Sequence, residues 1–276
     1  MDIFVCIKQV PSTNKVQVDE ETGVLRRDGV AGKMNPYDLF ALETALRLKE
    51  AHGGRVVVGT MGPPQAEAVL REAFLMGADE GYLFSDRRLA GADVLATSYT
   101  IAQAIRAIGD FSLILCGKQT TDGDTAQVGA EMAEFLDIPH AANVLSIQTG
   151  ADADYLLPMQ TGADAGNGLT ITAGQENRII TQFIPLPCLL CVDGGVNTPR
   201  LPSYKRKREL GEDPVRVLTL TDMYDTNENN YGLMGSPTQV ERTYTPDDSI
   251  SHETITGDSD YVAGRLASIL SNMKYI

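Results

Sequence analysis

The feature that most constrains this chain is a regular exchange, up to about Gln148, between short β-branched runs and longer segments with helical apolar spacing. DIFVCIKQV, RVVVGT, EGYLFSD and SLILC read as strands. Parallel strands need long crossovers, and crossover helices bury both sheet faces, so such strands become apolar on both sides. The expected class is therefore α/β, a three-layer, mostly parallel Rossmann-like sheet. Asn35-Pro36-Tyr37-Asp38 opens the first helix, with Asn35 as its cap and Asp38 at the positive end of the dipole. It stops at Gly53-Gly54. GPPQAEAVLREAFLMGAD is a Pro-initiated helix ending at Gly77, and ADVLATSYTIAQAIRAIG places Val94, Leu95, Ile101, Ile105 and Ile108 on one face. KVQVDEETGVLRRD, alternating around Thr22-Gly23, reads as an inserted hairpin.

A right-handed alternation brings the strand-to-helix loops KQVP, GTMGPPQ, SDRRLAGAD and GKQTTDGDT to the carboxyl edge of the sheet, where α/β proteins bind ligands. That edge is the expected site. After Gln148, ADYLLPM, LTITA, RIITQFIPL and PCLLCV read as strands that extend the sheet or form an antiparallel addition, with turn-rich GADAGNG among them. DGGVNTPRLPSYKRKREL reads as an arm, and polar DTNENNYGLMGSPTQ leads to a final helix near Ser259 to Met273. The expected division is 1–192 for the α/β unit, 193–225 for an arm and last strand, and 226–276 for a C-terminal arm and helix that lie on a partner.

The formal net charge of -14 repels nucleic acid and anionic membranes. No apolar run is long enough to span a bilayer and the N-terminus lacks signal-peptide features, so a cytoplasmic protein is expected. Cys6, Cys116, Cys188 and Cys191 lie in or beside strand-like runs, as buried free thiols do. Cys188 and Cys191 would point to opposite faces of their strand, against a shared metal or redox role. His52, His140 and His252 have no metal spacing, and no serine sits in a nucleophile elbow.

The loop GKQTTDGDTAQVG carries the most chemistry. A triphosphate loop needs a lysine after its last glycine, but Asp124 follows Gly123 here, and no Gly-x-Gly-x-x-Gly fingerprint is present. Asp124 with Gln127 fits a capping box on a helix that starts at Thr125. The amides of Thr125 to Gln127 would then face the cleft and suit AMP or a dinucleotide pyrophosphate. Asp122 would bond a ribose or a backbone amide. The loop taken alone is equally compatible with a capped helix that binds nothing.

Several ordered blocks, VCIKQVP, MNPYDLFALETALRLKE, MGAD, GKQTTDGDTAQVG and NTPRLPSYKR, make the chain resemble the β subunit of electron-transferring flavoproteins over nearly its whole length. ITAGQENRIITQFIPLPCLLCV departs from the family, which usually has an acidic-glycine pair and a Thr-Val there. The resemblance implies an adenine-nucleotide-hydrolase-like sheet with an extended C-terminal arm, and a heterodimer with a larger α subunit that carries FAD. One branch holds structural AMP in the β subunit. DRRLAGADVLATSYT, TDGDTAQVG and YGLMGSPTQV resemble the other, electron-bifurcating branch, in which that pocket holds FAD and accepts hydride from NADH. Its electrons go to ferredoxin or flavodoxin and, through the α-subunit FAD, to a dehydrogenase or reductase acting on acyl-CoA, enoyl-CoA or a 2-hydroxy acid such as lactate.

Carried onto this chain, the resemblance places adenosine and pyrophosphate at Cys6, Asn35, Gln119, Asp122, Gly123, Asp124, Thr125, Gln127 and Val128. Thr60, Met61, Gly62, Asp93 and Thr97 fall on the flavin side, and Val196, with the segment to Arg200, on a dehydrogenase. Asn35 and Asp93 are equally readable as helix caps. No side chain is expected as a catalytic acid or base, since hydride transfer is the cofactor's chemistry. Asp122 and Asp93 are expected to disfavour added negative charge on a half-reduced flavin. The basic run Lys205 to Arg208 would steer an acidic partner, contact the α subunit or simply be solvated. A nucleotide sensor of the universal-stress type shares the fold class but needs no such arms.

Overall fold

A computed structural model describes residues 1–12, 17–18, 25–26, 32–148, 167–209, 215–241 and 253–276. The strands are β1 (Ile3–Cys6), β2 (Gln9–Pro11), β3 (Gln17–Val18), β4 (Leu25–Arg26), β5 (Gly32–Met34), β6 (Val56–Met61), β7 (Glu80–Phe84), β8 (Leu113–Gly117), β9 (His140–Gln148), β10 (Gly168–Gln175), β11 (Arg178–Pro185), β12 (Cys188–Val192) and β13 (Val215–Leu218). The helices are α1 (Pro36–His52), α2 (Glu67–Met76), α3 (Val94–Ile108), α4 (Val128–Leu136), α5 (Tyr204–Glu209) and α6 (Ser259–Asn272).

Nine strands form one sheet in the order β11-β10-β9-β12-β8-β1-β6-β7-β13. From β9 to β13 every pairing is parallel, while β10 and β11 add an antiparallel flap. Both alternatives for the later strands are therefore realised: β12 inserts between β8 and β9, and β10–β11 extend the edge. ADYLLPM lies outside the described residues, as does all but the end of GADAGNG. The expected hairpin is matched by the antiparallel pairing of β3 with β4, and its Thr22-Gly23 turn lies outside the described residues.

Strand alternation sorts the core into two layers. Ile3, Val5, Val56, Val58, Leu113, Leu115 and Leu190 pack with Leu42, Leu46, Leu70 and Phe74 of α1 and α2. Phe4, Val57, Phe84, Ile114 and Leu189 pack on the other face with Ile105 of α3 and Met132 of α4. Cys188 joins the first layer and Cys191 the second, so the two thiols stand on opposite faces as their spacing predicts. All four cysteines are free.

The chain then leaves the sheet along α1. Asn197 Nδ2 donates to Phe40 O and Thr44 Oγ1, and Arg200 Nε donates to Glu43 Oε2 at 2.7 Å. After β13, residues 219–238 cover the second layer, where Tyr231 is fully buried. The expected final helix is α6, and none of its residues is buried. Among the described residues no helix is long and apolar enough to cross a membrane.

Candidate functional site at the carboxyl edge

The parallel strands end together at Cys6, Met61, Phe84 and Gly117, so the loops that follow share one rim. Buried Asn35 and Asp38 organise it. Asp38 Oδ2 accepts from the Lys8 amide at 2.7 Å, and Oδ1 accepts from the Gly117 amide at 3.2 Å and Asn35 Nδ2 at 2.9 Å. Asn35 Nδ2 also donates to Gln119 O, and its Oδ1 accepts from the Thr121 amide. Burial pushes the Asp38 carboxyl up to about 7, against the pull of these donors and Lys8.

Two local expectations are corrected here. Asn35 stands at the start of α1, but its side chain makes no cap hydrogen bond and is turned to the loop after β8. The Asp124–Gln127 capping box does not form either. The helix begins at Val128, with Gln127 as an uncapped N-cap, and Asp124 Oδ1 accepts from Gln119 Nε2 instead. Asp124 and Ala126 take φ of 51° and 56°, left-handed values that a helix start cannot accommodate. These signs alternate with a negative φ at Gln127, the backbone pattern of anion-binding nests. The first amides of α4, from Val128 onward, have no intrahelical acceptor. A Cβ at Gly123 would meet only Thr120 Oγ1, at 3.6 Å, so the loop backbone is open to close approach.

The charges on the rim are compensated. Lys8 Nζ binds both oxygens of Asp122 at 2.7 Å and joins the loops after β1 and β8. Burial raises the Asp122 carboxyl, but Lys8 outweighs it and holds the group below the ordinary range. Asp93 is the cap of α3, accepting from the Ala96 amide, while its Oδ2 accepts from the amide and hydroxyl of Thr238. Asp93 is thus the helix cap that its position allowed, and Asp122 is neutralised by Lys8 rather than standing as an unpaired charge. Lys118 is paired with Asp193 at 3.1 Å, so neither of these lysines is a free phosphate clamp.

Of the residues expected at the site, Asn35, Gln119, Asp122 and Asp124 join one network with Lys8 and Asp38. Thr125, Gln127 and Val128 follow it into α4, and Asp93 and Thr97 mark the start of α3. Thr60, Met61 and Gly62 close β6, where the buried Thr60 hydroxyl has no hydrogen-bond partner. The Cys6 thiol points to Met132 Sδ, 3.9 Å away, beneath the rim. Val196 and Arg200 lie instead along α1: Val196 packs partly on the first core layer and Arg200 also binds Glu50. Sequence reasoning missed Lys8, Asp38, Ser236 and Thr238. Ser236 Oγ accepts from the Asp93 amide, and the turn-rich GSPT stretch was the available signal for this return.

The rim can therefore present backbone amides and open glycine space while Lys8 and Lys118 are already paired, a donor set that fits a mono- or dinucleotide held mainly through backbone groups. The sheet and its covering helices define an α/β protein of the Rossmann-like class. Residues 22–223 match the family described as "Electron transfer flavoprotein domain". The chain is 39% identical over its full length to the electron transfer flavoprotein subunit beta of Thermoanaerobacterium thermosaccharolyticum, with all of both chains covered. It is 40% identical, again with full coverage of both, to the caffeyl-CoA reductase-Etf complex subunit CarD of Acetobacterium woodii. Protein FixA of Azorhizobium caulinodans is 38% identical over 89% of this chain and 85% of its own. The chain belongs to the electron transfer flavoprotein family, as a β subunit.

Proposed function

We propose that this β subunit holds FAD at the carboxyl edge and works in an electron-bifurcating heterodimer. Hydride arrives from NADH, and the electrons leave separately for ferredoxin or flavodoxin and, through FAD on the α subunit, for a partner dehydrogenase or reductase. The full-length likeness to a subunit of a caffeyl-CoA reductase-Etf complex supports this assignment. The observation that carries the cofactor choice is the pairing of two helix starts. Ser98 Oγ donates to Glu131 Oε2 at 3.0 Å, so the first turns of α3 and α4 stand side by side. The uncapped first amides of α4 suit a phosphate, and the Asp93-capped start of α3 beside them offers polar neighbours for the second half of a dinucleotide, a half that AMP lacks.

Bound FAD would supply hydride acceptance and division of the electron pair. The chain's own task is positioning. Gly123 and the amides from Thr125 to Val128 receive phosphate oxygens, and Asn35 sets the loop through Gln119 and Thr121. Cys6, Asp122, Asp124 and Gln127 border the adenosine half. Thr60, Met61, Gly62, Asp93 and Thr97 border the flavin half. Val196 and Arg200 form the dehydrogenase contact. Of the expected 226–276 arm, residues 226–238 pack on this chain's own second core layer, while α6, which buries no residue here, lies on the α subunit.

The deciding experiment is the nucleotide content of the heterodimer, released by mild denaturation and separated by chromatography. Two FAD per heterodimer are expected. One FAD with one AMP would reduce the cleft to a structural nucleotide site and the protein to a single-path carrier.

A further inference from the structure

Beneath the nucleotide loop lies a row of thiols that the proposed electron transfer does not use. Cys6, Cys116 and Cys191 occupy three adjacent strands at the same register, Cys6 opposite Cys116 and Cys116 opposite Cys191. All three side chains belong to the sheet face covered by α3 and α4. Cys116 Sγ donates to Cys191 Sγ at 3.5 Å. Gly129, in the first turn of α4, rests directly on this pair: a Cβ there would overlap Cys191 Sγ and come within 2.9 Å of Cys116 Sγ. The thiols are thus the floor under the helix start.

We propose that Cys116 and Cys191 are an oxidant-sensitive dithiol, closed to a disulfide by a peroxide, whose closure loosens the start of α4. Registered neighbours on paired strands lie about 4.8 Å apart, inside the roughly 4.4–6.8 Å Cα span that a disulfide bridges. With hydrogen peroxide the step balances: two S–H bonds and the O–O bond break, one S–S bond and two O–H bonds form, and two waters leave with the thiol hydrogens. Cys6, half-buried at the end of the row, is the side from which a small oxidant enters. Closing the sulfur gap from 3.5 Å to about 2.05 Å withdraws support from Gly129, which a close-packed interior cannot absorb without a local shift.

The disulfide stands on geometry alone, while its effect on a bound nucleotide rests on the function proposed above. The test uses the wild-type heterodimer treated with hydrogen peroxide under denaturant-free conditions, then alkylated and peptide-mapped. The expected result is a cross-linked peptide pair carrying Cys116 and Cys191, a β chain lighter by two hydrogens, and reversal by dithiothreitol. Amide exchange across 117–130 should rise at least about threefold in the oxidised protein and return on reduction. Cys191→Ser should abolish both changes while leaving the nucleotide content of the unoxidised protein as in wild type. Free thiols at both positions, oxidation confined to Cys6, a Cys6–Cys116 link, or a Cys116–Cys191 link with unchanged exchange would each overturn the proposal. Amide exchange reads the coupling whether the cleft holds FAD, AMP or neither, so failure here is distinguishable from failure of the functional reading.

Discussion

At the scale of single residues, Asn35 and Asp38 decide the shape of the rim. Asn35→Ala removes three hydrogen bonds from a fully buried site and leaves the Thr121 amide and Gln119 carbonyl unpaired. The expected cost is about 2–4 kcal/mol with faster nucleotide loss, measured by thermal unfolding and release into ultrafiltrate. Asp38 gives a pH signature. A raised folded-state pKa means the native protein holds the proton more tightly than the unfolded chain. That contribution is complete below the ordinary aspartate value of 3.8 and is lost as pH rises through about 7. The wild type should therefore lose stability relative to Asp38→Asn between about pH 4 and pH 7 and no further above it, and parallel melting profiles for the two across that range would refute it. Gly129→Ala should cost about 1–3 kcal/mol through overlap with the two sulfurs, although alanine ordinarily favours a helix. Such residues were half legible in the sequence. Asn35 was found by its place before Pro36, but its partners Gln119 and Thr121 are more than eighty positions away, and local cap chemistry cannot see them.

At the scale of elements, the segment after β12 is fixed to α1 by charge. Burial raises the Glu43 carboxyl, but hydrogen bonds from Arg200 and Arg47 outweigh it and leave the group below its ordinary 4.5. A depressed pKa contributes stability that is present above that value and lost as pH falls through the folded one. Arg200→Ala should cost about 2–3 kcal/mol at pH 7, and the penalty should shrink at about pH 3, below the ordinary 4.5, as Glu43 protonates. Urea titrations at the two pH values check this. The parallel strands β1, β6, β7 and β8 and the helices α1 to α3 were legible because β-branched runs and helical spacing are local signals. β5 and β9 were not read, and DIFVCIKQV, read as one strand, divides at Ile7 and Lys8 into β1 and a separate β2 paired with β5. The start of α4 was not legible either, since Thr125-Ala126-Gln127 has helix-compatible composition and only the left-handed Asp124 and Ala126 postpone the helix. Nor was the insertion of β12 between β8 and β9, because parallel pairing between distant segments leaves no mark in periodicity.

At the scale of the whole molecule, the sheet and its two layers account for the core, whereas α6 buries nothing on its own chain. Tyr261, Leu266, Met273, Tyr275 and Ile276 are all exposed. A chain ending at residue 252 should keep the thermal midpoint of the isolated β subunit while weakening its binding to the α subunit at least tenfold, about 1.4 kcal/mol. Titration of the two subunits by calorimetry reads that loss, and unchanged affinity would remove α6 from the interface. The same exposed tail has a consequence for the cell. A β subunit made in excess of its partner displays a hydrophobic degron-like helix to chaperones and proteases, so matched synthesis of the two chains, rather than the stability of either, should set how much of the complex accumulates.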